Sequence, residues 1–338
     1  MKLTFVKNGK NFTIRPAIPN DAAQVSELIN ICTQELYGKD EMNVGQLESD
    51  WKLESFDLEK DSILLLDGDK LVGYADIWNV SAPYVRFLTL VHVHPDYRGL
   101  GFGWLLNVWA ETRSREIMQK TQEDLRVFLM NFVNSKDSEA VQLLTDFGAK
   151  IERHVWTMER LLDEDLADPI LPDGYKIRIA QKEEYPQVYQ LQKESFRDHW
   201  GYIPTTFEEG YPIFLNQYVD TPEYFPDLWF VVEYAGELVG MIIGTASSSY
   251  GDDYGWVGVL GVLREHRKKG LGKALLQKSF QSIRQMGSSK VGLGVDTQNL
   301  SGALKLYQDL GMYVAEEFLR FEKTLREGKD LRTITIEN

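Results

Sequence analysis

Hydrophobic and polar residues alternate from Phe12 to Arg15 and again from Tyr175 to Ile179, which predicts a short strand at each place. An amphipathic helical pattern follows both. Ile63–Leu66 and Leu228–Val232 are apolar runs of strand length. "DGDKLVGYADI" and "YAGELVGMII" are predicted hairpins, each with a tight glycine-containing turn before a second strand. A further strand is expected to end at Val93 or Val262, and a glycine-rich turn then opens a long helix, Trp104 to Met118 or Lys273 to Met286. Leu125–Met130 and Lys290–Val295 have the pattern of buried strands. The helix after each ends at Gly148 or Gly311, where glycine suits a left-handed cap. The expected order in each half is β-α-α-β-β-β-α-β-α-β-β, an α/β layer fold with a mixed sheet. The closing "RTITIEN" alternates and is a candidate edge strand.

The same landmarks occur twice. Arg15, Arg98 and Gly148 in the first half answer to Arg178, Arg267 and Gly311 in the second, in one order and at nearly one spacing. The local sequences match too: "FTIRPAIPNDAAQV" with "YKIRIAQKEEYPQV", "HPDYRGLGFGWLL" with "REHRKKGLGKALL", and "LLTDFGA" with "LYQDLGM". Two copies of one domain are expected. The acidic, proline-bearing "DEDLADPILPDG" has the composition of an exposed joint. The expected division is residues 1–163, a linker at 164–173, residues 174–325 and a tail at 326–338.

Composition narrows the function classes. The chain has 338 residues and a formal charge of −14, which disfavours general nucleic-acid binding. Cys32 is the single cysteine, so an intrachain disulfide and a thiolate metal cluster are excluded. Met1–Lys10 lacks the pattern of a signal peptide, and no window of 18 apolar residues occurs, so a cytoplasmic protein acting away from membranes is expected. His92 and His94 lie two apart on a strand with no evident third ligand, so no metal site is expected.

Within this acidic chain Arg264, Arg267, Lys268, Lys269 and Lys273 crowd into ten residues around Gly270, Leu271 and Gly272, between a strand and a helix. Glycines there let main chain approach a ligand, and the first helical N–H groups carry the positive end of the helix dipole. Cations at a helix N-terminus oppose that dipole unless an anion is bound. The first copy carries Arg98, Gly99, Gly101 and Gly103 in the same context after Val93, with fewer cations. Neither loop fits GxxxxGK[ST], because Ala274 follows Gly272-Lys273 and Arg267 stands in the first glycine's place. Neither fits GxGxxG, which needs glycine at Leu106 or Leu275. The pattern that fits is R/Q-x-x-G-x-G/A.

These loops, with "VHVHPDYRGLGFG", "LGVLREHRKKGLG" and "DTQNLSGALKLYQDLGM", resemble the GNAT superfamily of N-acetyltransferases. The resemblance covers nearly the whole chain as two tandem GNAT-like domains, a layout similar to mycothiol synthase-like acetyltransferases. It implies that each domain is a mixed, mostly antiparallel sheet flanked by helices. It also implies an acyl-CoA pyrophosphate on the loop, acetyl-CoA as donor, no metal, and direct attack by an amine. Such a reaction needs a hydrogen-bond donor for the carbonyl oxygen, sought among the main-chain amides of Leu260, Gly261 and Val262. By resemblance Tyr307 is the leaving-group acid, although Ala303, Leu304, Tyr307 and Leu310 share a helical face and core is the other reading of Tyr307. Asn299 resembles the family's CoA-contacting asparagine and is also a natural helix cap, and Asp296 is a similar candidate.

In the first copy Leu144 stands where Tyr307 stands in the second. The C-terminal domain is therefore expected to be catalytic. The N-terminal domain either binds acyl-CoA without turnover or only shapes the acceptor cleft. Gly258 and Val259 occupy the strand positions where many relatives carry a carboxylate base. That leaves a water chain or a residue of the polar and aromatic segment Ser195–Gly210, where His199 is the candidate base, with a structural role as its other reading. Glu208, Glu209, Asp252 and Asp253 are candidates for an acidic mouth facing a cationic acceptor, or else solvated turns. The expected acceptor is the primary amine of a small molecule. The alternative is a non-enzymatic acyl-CoA sensor or partner-binding protein.

Overall fold

A computed structural model describes residues 2–78, 82–163, 166–298 and 302–334. The first half contains β1 (Leu3–Lys7), β2 (Lys10–Arg15), α1 (Ala22–Tyr37), α2 (Val44–Asp50), α3 (Leu58–Asp61), β3 (Ser62–Asp67), β4 (Lys70–Trp78), β5 (Arg86–Val93), α4 (Phe102–Ile117), β6 (Val127–Asn134), α5 (Ser138–Asp146) and β7 (Lys150–Leu161). The second half contains β8 (Tyr175–Ile179), α6 (Tyr185–Phe196), α7 (Phe207–Tyr218), β9 (Trp229–Tyr234), β10 (Glu237–Thr245), β11 (Tyr254–Val262), α8 (Leu271–Gln285), β12 (Lys290–Asp296), α9 (Ala303–Asp309) and β13 (Tyr313–Arg326). Gly148 and Gly311 do adopt left-handed backbone, at φ 87° and 79°. Among the described residues no helix is long and apolar enough to cross a membrane.

The chain forms two compact units, and neither is contiguous in sequence. One joins Met1–His154 to Phe318–Leu331, and the other joins Val155–Glu317 to Arg332–Asn338. They therefore differ from the contiguous 1–163 and 174–325. Each half was expected to close with two strands, but each closes with one long strand, of 12 residues for β7 and 14 for β13. In the first unit Phe318–Arg326 of β13 pairs antiparallel with β6. In the second, Val155–Leu161 of β7 pairs antiparallel with β12. Each sheet is thus completed by a strand segment from the other repeat. The expected strand at Arg332–Asn338 is absent as far as Thr333 and Ile334, and residues 335–338 lie outside the described ones.

In the second unit β9 buries both faces. Phe230 and Val232 point toward α8 with Leu275, Phe280 and Ile283, while Trp229 and Val231 point toward α6 and α7 with Tyr185, Val188 and Phe214. The mixed sheet fixes where strands end. β11 runs antiparallel to β10 and parallel to β12, and parallel neighbours need the crossover that α8 supplies.

The first unit breaks its apolar pattern at Asp76. Counting from the paired Gly73–Val93 and Gly240–Val262, Asp76 stands where the second unit has Ile243. It is 1% exposed and accepts from Tyr74 Oη at 2.8 Å and Leu90 N–H at 3.3 Å. Burial pushes its carboxyl up to about 7, and the nearby Asp50 is pushed up to about 6. A carboxyl whose pKa is raised by folding stabilises the fold while protonated, and that stability is lost as pH climbs from about 4 through 7. Asp76→Asn should remove this loss. Its melting temperature relative to wild type should rise with pH across that window and level off above it, by up to about 4 kcal/mol in stability. A difference that does not change with pH would contradict the assignment.

Candidate active site

Strand β11 pairs with β12 only from Tyr254–Lys290 to Val257–Leu293. Both strands continue, to Val262 and Asp296, without pairing to each other, so the sheet opens between them. The opening begins at two glycines, Gly258 and Gly294. A Cβ on Gly294 would meet nothing within 4 Å, so bare main chain borders open space there. A Cβ on Gly258 would come within 3.1 Å of the Tyr218 ring on α7. Leu263 N–H donates to Val239 of β10 at 2.9 Å. By strand alternation the amides of Leu260 and Val262 therefore face the opening, and that of Gly261 faces β10. Gly261 contributes closeness instead, since a Cβ there would lie 3.0 Å from Ser195 of α6.

Beyond β11 a turn at Arg264–His266 leads into α8, a 15-residue helix. Arg267 N–H is taken by Arg264 O at 3.2 Å, and Ala274 N–H by Gly270 O at 3.0 Å. Between them the amides of Lys268, Lys269, Gly270, Leu271, Gly272 and Lys273 have no partner among the described residues. Lys268 at φ 62° and Gly270 at φ 83° both hold left-handed backbone, which turns this run of donors outward. A Cβ on Gly270 would stand in open space. The residues thus fit an anion: unpaired donors at a helix head, room for close approach, and exposed Lys268, Lys269 and Lys273 around it. Lys269 Nζ is steadied by Tyr175 Oη at 3.0 Å, which meets His266 Nδ1 at 2.9 Å.

Arg267 does not point at this space. Its guanidinium donates to both Asp198 oxygens, at 2.5 and 3.1 Å, and to Ser195 O at 2.8 Å, while its Nε donates to Val262 O at 3.0 Å. Arg267 is therefore a tie between the donor loop and the end of α6. Burial pushes the Asp198 carboxyl up, but the Arg267 bonds and charge outweigh it and hold the group below its ordinary value.

Tyr307 lies on α9, one residue after Leu306, whose Cδ2 is 3.4 Å from where a Gly272 Cβ would be. Its ring belongs to the core with Leu271, Leu275 and Leu310. Its hydroxyl has no hydrogen-bond partner among the described residues, and burial pushes it up to about 12, so it stays protonated. The hydroxyl is not among the buried unpartnered polar atoms, so it reaches solvent and is open to a ligand atom. His199 follows Asp198, its ring 4.5 Å from that of Phe196. Burial lowers its pKa, Asp198 and Asp296 oppose that, and Arg267 adds to it. Asn299 lies outside the described residues. Asp296 Oδ1 accepts from Gln298 N–H at 2.8 Å. Glu209 caps α7 through Thr206, and Asp253 bonds Ser289 at the opposite end of β11 from the loop.

The first unit repeats the scaffold and changes the chemistry. Gly99 and Gly101 are left-handed at φ 73° and 75°, and the amides from Gly99 to Trp104, Gly103 included, have no partner among the described residues. Arg98 pairs with Glu35 at 2.7 Å, as Arg267 does with Asp198. Sequence inspection missed a cation there: Lys7 Nζ of β1 lies 3.3 Å from where a Gly101 Cβ would be. Pairing of β5 with β6 stops at Leu88–Met130, and Asn131 Nδ2 then reaches Thr89 O at 3.4 Å across the start of the opening. Val93 O accepts from Cys32 Sγ at 3.3 Å. Leu144 is buried against Leu319 and Phe321, and Leu36 holds the place that His199 has in the second repeat. His94 is used locally, its Nδ1 accepting from Asp96 N–H at 3.2 Å. Trp104 is 46% exposed and meets Phe147 edge-on.

The model of the acetyltransferase (GNAT) family matches residues 22–130 and 185–312. Mycothiol acetyltransferase of Thermobispora bispora is 31% identical over 255 residues, covering 74% of this chain and 79% of that protein. The Streptomyces avermitilis mycothiol acetyltransferase is 29% identical, covering 77% and 78%. Among solved structures, a GCN5-related N-acetyltransferase from Sphaerobacter thermophilus matches with TM-score 0.79 and 27% identity, over 95% of this chain and 98% of that one. A tandem GNAT protein from the clavulanic acid biosynthesis pathway matches with TM-score 0.71 and 15% identity, over 94% and 100%.

Proposed function

The chain belongs to the GNAT family of acetyltransferases, and from that premise we propose that its C-terminal repeat moves an acetyl group from acetyl-CoA to the primary amine of a small molecule. The observation that carries this reading is the run of unpaired amides from Lys268 to Lys273 at the head of α8, beside a sheet opened by Gly258 and Gly294. The relatives named mycothiol acetyltransferase support a small-molecule acceptor.

When bound, acetyl-CoA supplies a thioester whose carbonyl carbon is open to attack. The loop amides and the three lysines hold the phosphates. The amide of Leu260 or Val262 donates to the carbonyl oxygen as it gains charge. The amine nitrogen forms the new bond to carbon, and the carbon–sulfur bond breaks. Tyr307 donates a hydrogen bond to the departing sulfur. Its pKa of about 12 exceeds the roughly 8.5 of a thiol, so it stabilises the thiolate rather than surrendering its proton outright. His199, kept neutral by burial, accepts the proton that the amine loses. The N-terminal repeat retains the loop and lacks Tyr307 and His199, which supports a non-catalytic role.

Thiol release from acetyl-CoA with a panel of amino sugars, polyamines and amino acids tests this reading. Turnover with at least one amine is expected, and binding without release from every amine would overturn it in favour of a sensor. His199 carries its own expectation. Because its active form is neutral and its pKa is lowered, the wild-type rate should fall only below about pH 6.5. His199→Gln should lose that limb and roughly 10²-fold in turnover. An unchanged pH–rate profile would remove His199 from the mechanism.

A further inference from the structure

The loop that carries His199 makes few bonds of its own. His199 N–H donates to Phe196 O at 2.9 Å and Tyr202 N–H to His199 O at 3.1 Å, both local turns. Gly201 sits at φ 78°, a left-handed bend within this link. A connection with so little internal bonding opens easily unless something outside holds it.

Two outside anchors hold it. One is Arg267, bound through Asp198 as described above. The other is the end of the chain. Gly201 N–H donates to Thr333 O at 2.8 Å, and Thr333 N–H donates back to Tyr202 O at 2.9 Å. Thr333 Oγ1 donates to Arg197 O at 3.3 Å. The Arg332 guanidinium lies 4.9 Å from the centre of the Trp200 ring, and Arg332 is 7% exposed. The guanidinium thus packs against an aromatic ring of the segment it adjoins. The segment between the anchors holds His199.

We propose that Arg332 and Thr333 are positioning residues: with Arg267 they clamp Arg197–Tyr202 and thereby set His199 against the opened strands. The proposal rests on the reading of this loop as the acceptor-side catalytic loop. It explains why the alternating end of the chain forms no edge strand as far as it is described: its main-chain groups are spent on the loop. It also assigns Asp198 a role that a lone surface carboxylate would not have. The donor loop and the acceptor loop become parts of one bonded unit, so that the base is in place when the donor is.

The test uses the full chain carrying Arg332→Ala with Thr333→Pro, which removes the stacked cation and the tail's N–H donor. Amide hydrogen exchange across 198–203 should quicken at least tenfold. Modification of His199 by diethyl pyrocarbonate, followed by peptide mass spectrometry, should quicken similarly. Exchange across Lys268–Lys273 and affinity for CoA, the probe for the donor site, should stay as in wild type. Arg332→Lys, which keeps a cation over Trp200, should recover most of the protection. Unaltered exchange and His199 reactivity would overturn the proposal, as would an equal loosening throughout the second unit. Neither readout depends on acetyl transfer, so failure of the catalytic reading would show separately in the turnover assay.

Discussion

Tyr307→Phe should lower the turnover of acetyl-CoA with an active amine by roughly 10²–10⁴ while the protein melts as wild type does. The two halves of this expectation come from different atoms of one side chain. The ring packs with Leu271, Leu275 and Leu310, and phenylalanine preserves all of that contact. The hydroxyl has no partner among the described residues, so its removal breaks no internal hydrogen bond, and stability should shift by less than about 0.5 kcal/mol. The loss then falls on the reaction alone, at the step where negative charge gathers on sulfur. A variant with wild-type turnover would leave Tyr307 as core, like Leu144 in the first repeat.

Gly270→Val should weaken CoA binding by roughly 10²-fold, because a side chain would occupy the space through which phosphate oxygens reach the amides, and each charge-assisted bond lost is worth about 1.5–3 kcal/mol. The position tolerates the change poorly on backbone grounds as well. At φ 83° an L-residue is strained by about 1–2 kcal/mol. That strain lowers the melting temperature by only a few degrees in a protein this size, so affinity and stability can be read apart. Weakened melting with undiminished CoA affinity would show that the phosphates lie elsewhere.

Much of this architecture is written locally in the sequence. Glycine spacing, helical periodicity and the doubled Arg-x-x-Gly-x-Gly pattern are short-range properties, and the donor loop follows from them. The helix after Gly270 begins at Leu271, two residues before the expected Lys273, because the loop's left-handed residues already set the first turn. Long-range choices were hidden. A 14-residue strand such as Tyr313–Arg326 has one alternation, whether it completes one sheet or divides between two. Arg267 reads as a phosphate ligand until Asp198, 69 residues away, is seen to hold it. A matching acid stands in each repeat, Glu35 and Asp198, and pairing the repeats residue by residue would have shown it. Lys7 lies on a strand that the second repeat lacks, so the comparison of copies gave it no signal. Asp76 looks like a solvated residue in an apolar strand, and only burial on both faces turns it into a titrating group near pH 7.

The exchange of strand segments also bears on experimental design. Residues 1–163 alone would lack Phe318–Arg326, the partner of β6, so loss of activity in that fragment would not separate chemistry from folding. Point variants in the full chain avoid the difficulty.

Titration calorimetry of the full chain with CoA measures the central claim most directly. The account expects saturable heat in the wild type, weakened as salt is added because phosphates meet lysines, and roughly 10²-fold weaker binding in Gly270→Val. No heat with CoA, or equal affinity in the two proteins, would contradict it.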